Sequence, residues 1–235
     1  MKEKIIKIYS FKELNKQAKE DAINNNREIN LDDGFSLDCS RDNWKEKLAK
    51  YGFNDASINY DISYCQGSGA SFDTKDIDFF KLLEYLKNKK YDILKKFIEH
   101  GDIELDISIT ENGYATHYCH KFTRYTSIEF SNYVDYDYDI EKDLKIDFPE
   151  LYNSYRYKII VNDEKGISDL FQKITEKLEI LVDELEKDIE EVRQNLCDKI
   201  YKEFKKEYEY LGSEEAIIET LIANDYEFDE EGNTI

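Results

Sequence analysis

The sequence predicts an α+β protein: a small, mostly antiparallel sheet covered by helices, with a long amphipathic helix towards the C-terminus. Three observations carry that expectation. Two stretches alternate with period two, at Ile58, Tyr60, Ile62 and Tyr64, and at Ile103, Leu105, Ile107 and Ile109. From Ile167 to Leu211 apolar residues recur every three or four positions with no Gly or Pro between. Finally, 19 Tyr and 13 Phe in 235 residues supply material for a core, which disordered chains lack.

The elements follow in order. Ile5, Ile6 and Ile8 read as a first strand. Ser10 and Glu13 have the spacing of a capping box. Phe11, Leu14, Ala18, Ala22 and Ile23 then give a helix from about Phe11 to Arg27. Ser40 or Asp42 can cap a second helix with Trp44, Leu48 and Tyr51 inward, stopped by Gly52. The strand from Ala56 to Tyr64 runs into the glycine-rich turn Cys65-Gln-Gly-Ser-Gly-Ala-Ser-Phe72. Asp76–Asn88 and Tyr91–His100 read as helices.

Residues 103–110 form a strand, and Asn112-Gly113 favours a hairpin into 114–122. A further strand covers 125–130. Residues 132–152 read as an irregular, Tyr- and Asp-rich acidic insertion, and Tyr155–Val161 as a last strand. The expected organisation is an α+β domain over 1–162 and a helical region over 163–235. The long helix would span roughly 65 Å if continuous. Its steps of three, four and four favour burial within the chain over a heptad coiled coil, with a homodimer through the helix as the alternative. Gly212 ends it. Ser213 caps a short helix, and Tyr226 to Ile235 form a candidate terminal hairpin.

The net charge is −20 and the pI about 4.6. Such a surface repels nucleic acid and anionic lipid, and complements a basic groove. Its common physical use is solubility. From Ser213 to the end there are eight carboxylates and no Lys or Arg. Cys39, Cys65, Cys119 and Cys197 form no CxxC. Neither a signal peptide nor an apolar run long enough for a membrane span is evident, so reduced thiols and a cytoplasmic setting are expected.

No catalytic constellation is complete, and no cofactor or metal is expected. His117, Cys119 and His120 are zinc-ligand types, but 117 and 119 share one strand face while 120 points away. Cys65, ending a strand at a glycine turn, has the position of a nucleophile, with His117 or His120 as base. No third orienting group is identified. The turn 66–71 lacks a P-loop lysine and reads as a tight turn. Asp135, Asp137 and Asp139 alternate with Tyr133, Tyr136 and Tyr138 in a mix that suits a protein–protein surface. With Asp143 and the tail residues Glu214, Glu215, Glu227 and Glu230, these are the expected partner-binding residues.

Two stretches carry a resemblance. Tyr9-Ser-Phe-x-Glu-Leu14, followed by Asp61-Ile-Ser-Tyr-Cys-Gln-Gly-Ser-Gly-Ala-Ser-Phe72, resembles a family of small phage and prophage proteins, some labelled antitoxin-like. So does the end, from Lys206 to Thr220 and from Asn224 to Gly232. The resemblance implies a phage setting inside a host cell. That setting, taken with the net charge of −20, makes the leading expectation an inhibitor of a basic, nucleic-acid-handling host defence effector, such as a CRISPR nuclease, acting by protein–protein contact without binding nucleic acid. A Cys/His enzyme modifying a host factor, and an antitoxin-like or structural phage protein, are the alternatives.

Overall fold

The computed structural model describes residues 7–31, 35–62, 68–111, 124–132 and 143–235. In chain order the elements are β1 (Tyr9–Ser10), α1 (Lys16–Asn25), α2 (Phe35–Lys50), β2 (Phe53–Asn54), β3 (Ser57–Asp61), β4 (Gly69–Asp73), β5 (Asp76–Ile77), α3 (Phe79–Leu86), α4 (Asp92–His100), β6 (Ile103–Glu111) and β7 (Arg124–Asn132). Then come α5 (Asp143–Asp147), α6 (Pro149–Ile160), α7 (Glu164–Leu211), α8 (Glu214–Ala223) and β8 (Glu227–Phe228). The fold class is α+β, as the sequence predicts. The chain divides into two compact units. The first is built from 1–43, 62–65 and 199–235, the second from 44–61 and 66–198.

In the first unit the two ends of the sequence share one core. Strand β1 pairs antiparallel with β8, Tyr9 opposite Phe228 and Ser10 opposite Glu227. Phe11, Leu14, Ala18, Ala22 and Ile23 pack with Ile217, Leu221 and Phe228. The acidic C-terminal segment is therefore part of the core and not a loosely structured tail. A bridge between Phe228 and Thr234 and a bond from Ile235 N to Glu227 O (3.0 Å) fold the last residues back as the expected hairpin.

The N-terminal helix is shorter than expected. The Glu13 carboxylate accepts from Ser10 N and Ser10 Oγ, both at 2.8 Å, and this closes a 3-10 turn over Phe11–Glu13. Leu14 is extended, and Asn15 caps α1 by accepting from Ala18 N at 3.0 Å. Strand β1 covers Tyr9–Ser10; of the expected first strand, Lys7 and Ile8 are outside regular structure, and Ile5 and Ile6 lie outside the described residues.

Among its described residues the second unit holds three antiparallel ladders, where one sheet is expected: β2 with β5, β3 with β4, and β6 with β7. The last runs nine residues, from Ile103↔Asn132 to Glu111↔Arg124. Reciprocal bonds between Thr74 and Ile109 (2.9 and 2.8 Å) link the β3–β4 ladder to it. The strand expected at 114–122 lies outside the described residues.

Four other expectations are corrected here. Helix α2 covers Phe35–Lys50 and runs through Ser40 and Asp42, so neither caps it. Asp76–Ile77 is a strand, and α3 opens at Phe79 because Asp78 accepts from Lys81 N at 3.1 Å. Tyr155–Val161 is not a strand: Pro149 starts α6 at its first helical position, where a missing N–H costs nothing. Helices α5 and the start of α6 also give regular structure to 143–152.

The long helix is present and runs 48 residues. In the second unit its stripe of Ile167, Leu170, Ile174, Leu178, Val182, Leu185 and Ile189 is buried within the chain. In the first unit Ile200 and Phe204 are fully buried. Tyr91, also fully buried, donates its hydroxyl to Asp188 at 2.7 Å and fixes the start of α4 on α7. Gly52 needs to be glycine, because its φ is +96° and a Cβ would lie 2.7 Å from the Asp78 carbonyl oxygen.

Candidate functional site

Of the expected partner-binding residues, Tyr133, Asp135, Tyr136, Asp137, Tyr138 and Asp139 lie outside the described residues, and Asp143 is the first residue of α5. Cys65, His117, Cys119 and His120 also lie outside them. Glu214, Glu215, Glu227 and Glu230 are all exposed on the first unit.

Helix α8 displays the first pair. Ser213 caps it by accepting from Ala216 N at 3.3 Å. Ala216, Ile217 and Leu221 point into the core, so Glu215 and Glu219, one turn apart, face outward. Glu214 and Glu215 lie in the first turn, where the helix dipole favours negative charge. Glu214 also meets Arg27 at 3.6 Å. Structure alone accounts for these two positions.

It does not account for the neighbouring end of α7. The last turn of that helix carries no basic residue, and Glu207 and Glu209 sit near its negative pole. There Tyr210, 47% exposed, donates its hydroxyl to Glu219 Oε2 at 3.2 Å. That bond, with the charges of Glu219, Glu215 and Glu207, raises the Tyr210 pKa above its ordinary value. An exposed aromatic ring thus stands among three carboxylates. Such a mix is expected at 133–139 from the sequence, and the one at Tyr210 is not. The available signal was the run Glu207-Tyr-Glu-Tyr-Leu211 at a helix C-terminus, where cations are the usual choice.

Glu227 and Glu230 occupy a second acidic area. Glu230 borders a shallow hollow of about 310 Å³ with Tyr9, Glu13, Leu14 and Asn15. The Ser10 backbone and hydroxyl lower the Glu13 pKa and keep it charged. Asp229 Oδ1 accepts from Asn233 N (2.8 Å) and Glu231 N (3.1 Å), so it organises the turn that presents Glu230 and Glu231. Gly232 seats this turn on α1, where a Cβ would fall 2.1 Å from the Ala18 carbonyl oxygen.

The second unit holds a different kind of site. A cleft of about 820 Å³ opens between β4, β7 and α7, with Ala70, Arg124, Thr126, Glu190, Arg193 and Cys197 in its wall. Arg124 and Arg193 are 4% and 6% exposed. Arg124 is ion-paired with Asp73, which ties β7 to β4. Arg193 grips Glu190 in bidentate fashion, through Nη2 and through Nε at 2.9 Å. Glu190 also accepts from Thr126 Oγ1 (2.9 Å) and Gln194 Nε2 (2.8 Å). Burial works against the Glu190 charge, but these donors outweigh it and hold the pKa down at about 2.

Arg193 stands where the stripe of α7 calls for an aliphatic side chain. A step of four from Ile189 lands on it, whereas the nearest aliphatic residue, Val192, is only half-buried. Burial pushes the Cys197 thiol up, with Arg193 opposing. Among the described residues, no helix is long and apolar enough to cross a membrane. Comparison of the chain with protein-family models, with curated proteins and with solved structures finds no match.

Proposed function

We propose that this chain acts by occupancy: an acidic, phage-encoded protein that docks on a basic, nucleic-acid-handling host defence effector, such as a CRISPR nuclease, and blocks it. The observation that carries the reading is the exposed Tyr210 set among Glu207, Glu215 and Glu219. Carboxylates beside a rigid aromatic offer a basic groove what phosphates and stacked bases offer it. They stand on a unit whose core is closed by Phe11 and Phe228, so little ordering cost remains at docking. Acids at the C-terminal end of α7 oppose the helix dipole, which speaks against a purely structural role. The phage setting rests on the resemblance of the Tyr9–Leu14, Asp61–Phe72 and Lys206–Gly232 stretches, and the class of partner on that setting together with the net charge of −20. Glu227 and Glu230 form a second contact area under this reading.

The test is capture of partners from host lysate at low salt, followed by competition with RNA or DNA on the captured protein. Nucleic acid should displace the chain, and affinity should fall steeply with salt. A Glu215→Lys/Glu219→Lys variant should lose capture. Binding indifferent to salt, to nucleic acid and to that charge reversal would sink the proposal.

A further inference from the structure

We infer that the cleft between β4, β7 and α7 binds a small molecule by a carboxylate or phosphate group, with the Arg193 guanidinium as principal donor. The inference is independent of the acidic face on the other unit. Arg193 is 6% exposed, yet its fork is only partly used. Nε and Nη2 serve Glu190, while Nη1 reaches only the Cys197 sulfur, at 4.0 Å. Sulfur is a poor acceptor. Nη1 of this buried cation therefore has no oxygen acceptor among the described residues, and Arg193 is one of the residues lining a cavity of about 820 Å³. Cavities of roughly 300–1,000 Å³ are the size that holds small ligands. An oxyanion in the cleft would supply the missing acceptor, in the charge-assisted geometry that guanidinium favours.

Two further features point the same way. Stability alone does not ask for arginine at this position. An aliphatic side chain would complete the stripe from Ile189 to Leu196, and replacing buried ion pairs by apolar residues is often neutral or stabilising. Positive charge also extends along the wall, where Arg124 and Lys187 line the same cavity. Glu186, Glu191 and Asp198 line it too and repel a second anionic group. They select a ligand with one oxyanion group and N–H donors elsewhere, of nucleotide size or smaller. A nucleoside monophosphate and an amino acid with an amide side chain both have that chemistry.

Isothermal titration of the full chain with adenosine monophosphate and with L-glutamine, in phosphate-free buffer, distinguishes the two sources. One of the two should bind with a Kd in the millimolar range or tighter. Arg193→Lys keeps the charge but removes the fork, and should weaken binding by about tenfold or more. Arg193→Met should abolish it; circular dichroism establishes that each variant is folded, and Arg193→Lys decides if the methionine variant is not. Binding of neither probe at about 10 mM, or equal binding by wild type and Arg193→Lys, overturns the inference.

Discussion

The Tyr210 hydroxyl lies 3.2 Å from the Glu219 carboxylate, across the corner at Gly212 where α7 gives way to α8. The bond holds the acidic end of α7 against the middle of α8 in spite of their like charge. Asn30 steadies the same corner. Its Nδ2 donates to the Leu211 carbonyl at 3.1 Å, and its Oδ1 accepts from Thr220 Oγ1 at 2.7 Å. The carboxylates around Tyr210 are therefore held on a braced surface.

Charge and stability should separate at this corner. Glu215→Gln and Glu219→Gln should each change unfolding free energy by less than about 0.5 kcal/mol, as exposed substitutions do. Together they should slow association with a basic partner and flatten its dependence on salt. Urea unfolding and stopped-flow association measure the two effects. A large loss of stability would make the acids structural.

Phe228→Ala should destabilise the first unit by about 3–5 kcal/mol, as other large-to-small core substitutions do. The ring is fully buried and meets Phe11 edge-on, with centroids 6.2 Å apart. Denaturant unfolding followed by circular dichroism tests this. A silent substitution would mean that the C-terminal segment hangs free of the core.

Gly232→Ala should also destabilise, by about 1–3 kcal/mol, because its φ of +89° strains any L side chain. The new methyl would also press on the α1 backbone at Ala18, which cannot give way as a flexible side chain could. Amide exchange at α1 and at 229–235 should rise together in this variant.

Acid should act on the second unit through Glu190. Its folded pKa of about 2 lies below its ordinary value of 4.5. A group with a depressed folded pKa stabilises fully above the unfolded value and loses that contribution as pH falls through the folded one. Stability should therefore decline between about pH 5 and pH 2, and Glu190→Gln should be less stable at neutral pH but flatter across that window. Equal acid slopes in wild type and variant would show that Glu190 is not held charged by Arg193.

What the sequence made legible was the local pattern. The stripe of α7 persists for many turns, so its position and its end at Gly212 could be read directly. The alternation over Ser57–Asp61 and Ile103–Glu111 revealed both strands for the same reason. Tyr155–Val161 misled because aromatic and β-branched residues imitate a strand, while Pro149 and the bond from Tyr155 to Asp169 favour a helix. The core of the first unit was hidden because its halves come from opposite ends of the sequence. Arg193 was hidden because a cation on a buried stripe looks like part of the solvent face until Glu190, Thr126 and Cys197 are seen around it.

The pairing of β1 with β8 also sets a schedule. Asn25 and Asn233, which bond at 3.4 Å, are 208 residues apart. At about 5–20 residues per second, the apolar face of α1 waits roughly 10–40 s on the ribosome before Phe228 emerges to cover it. During that interval Phe11, Leu14 and Ala22 are open to chaperones and proteases, and a chain broken off before β8 never covers them. Synthesis of this protein should accordingly lean on holdase capacity, with interrupted products cleared rather than accumulated.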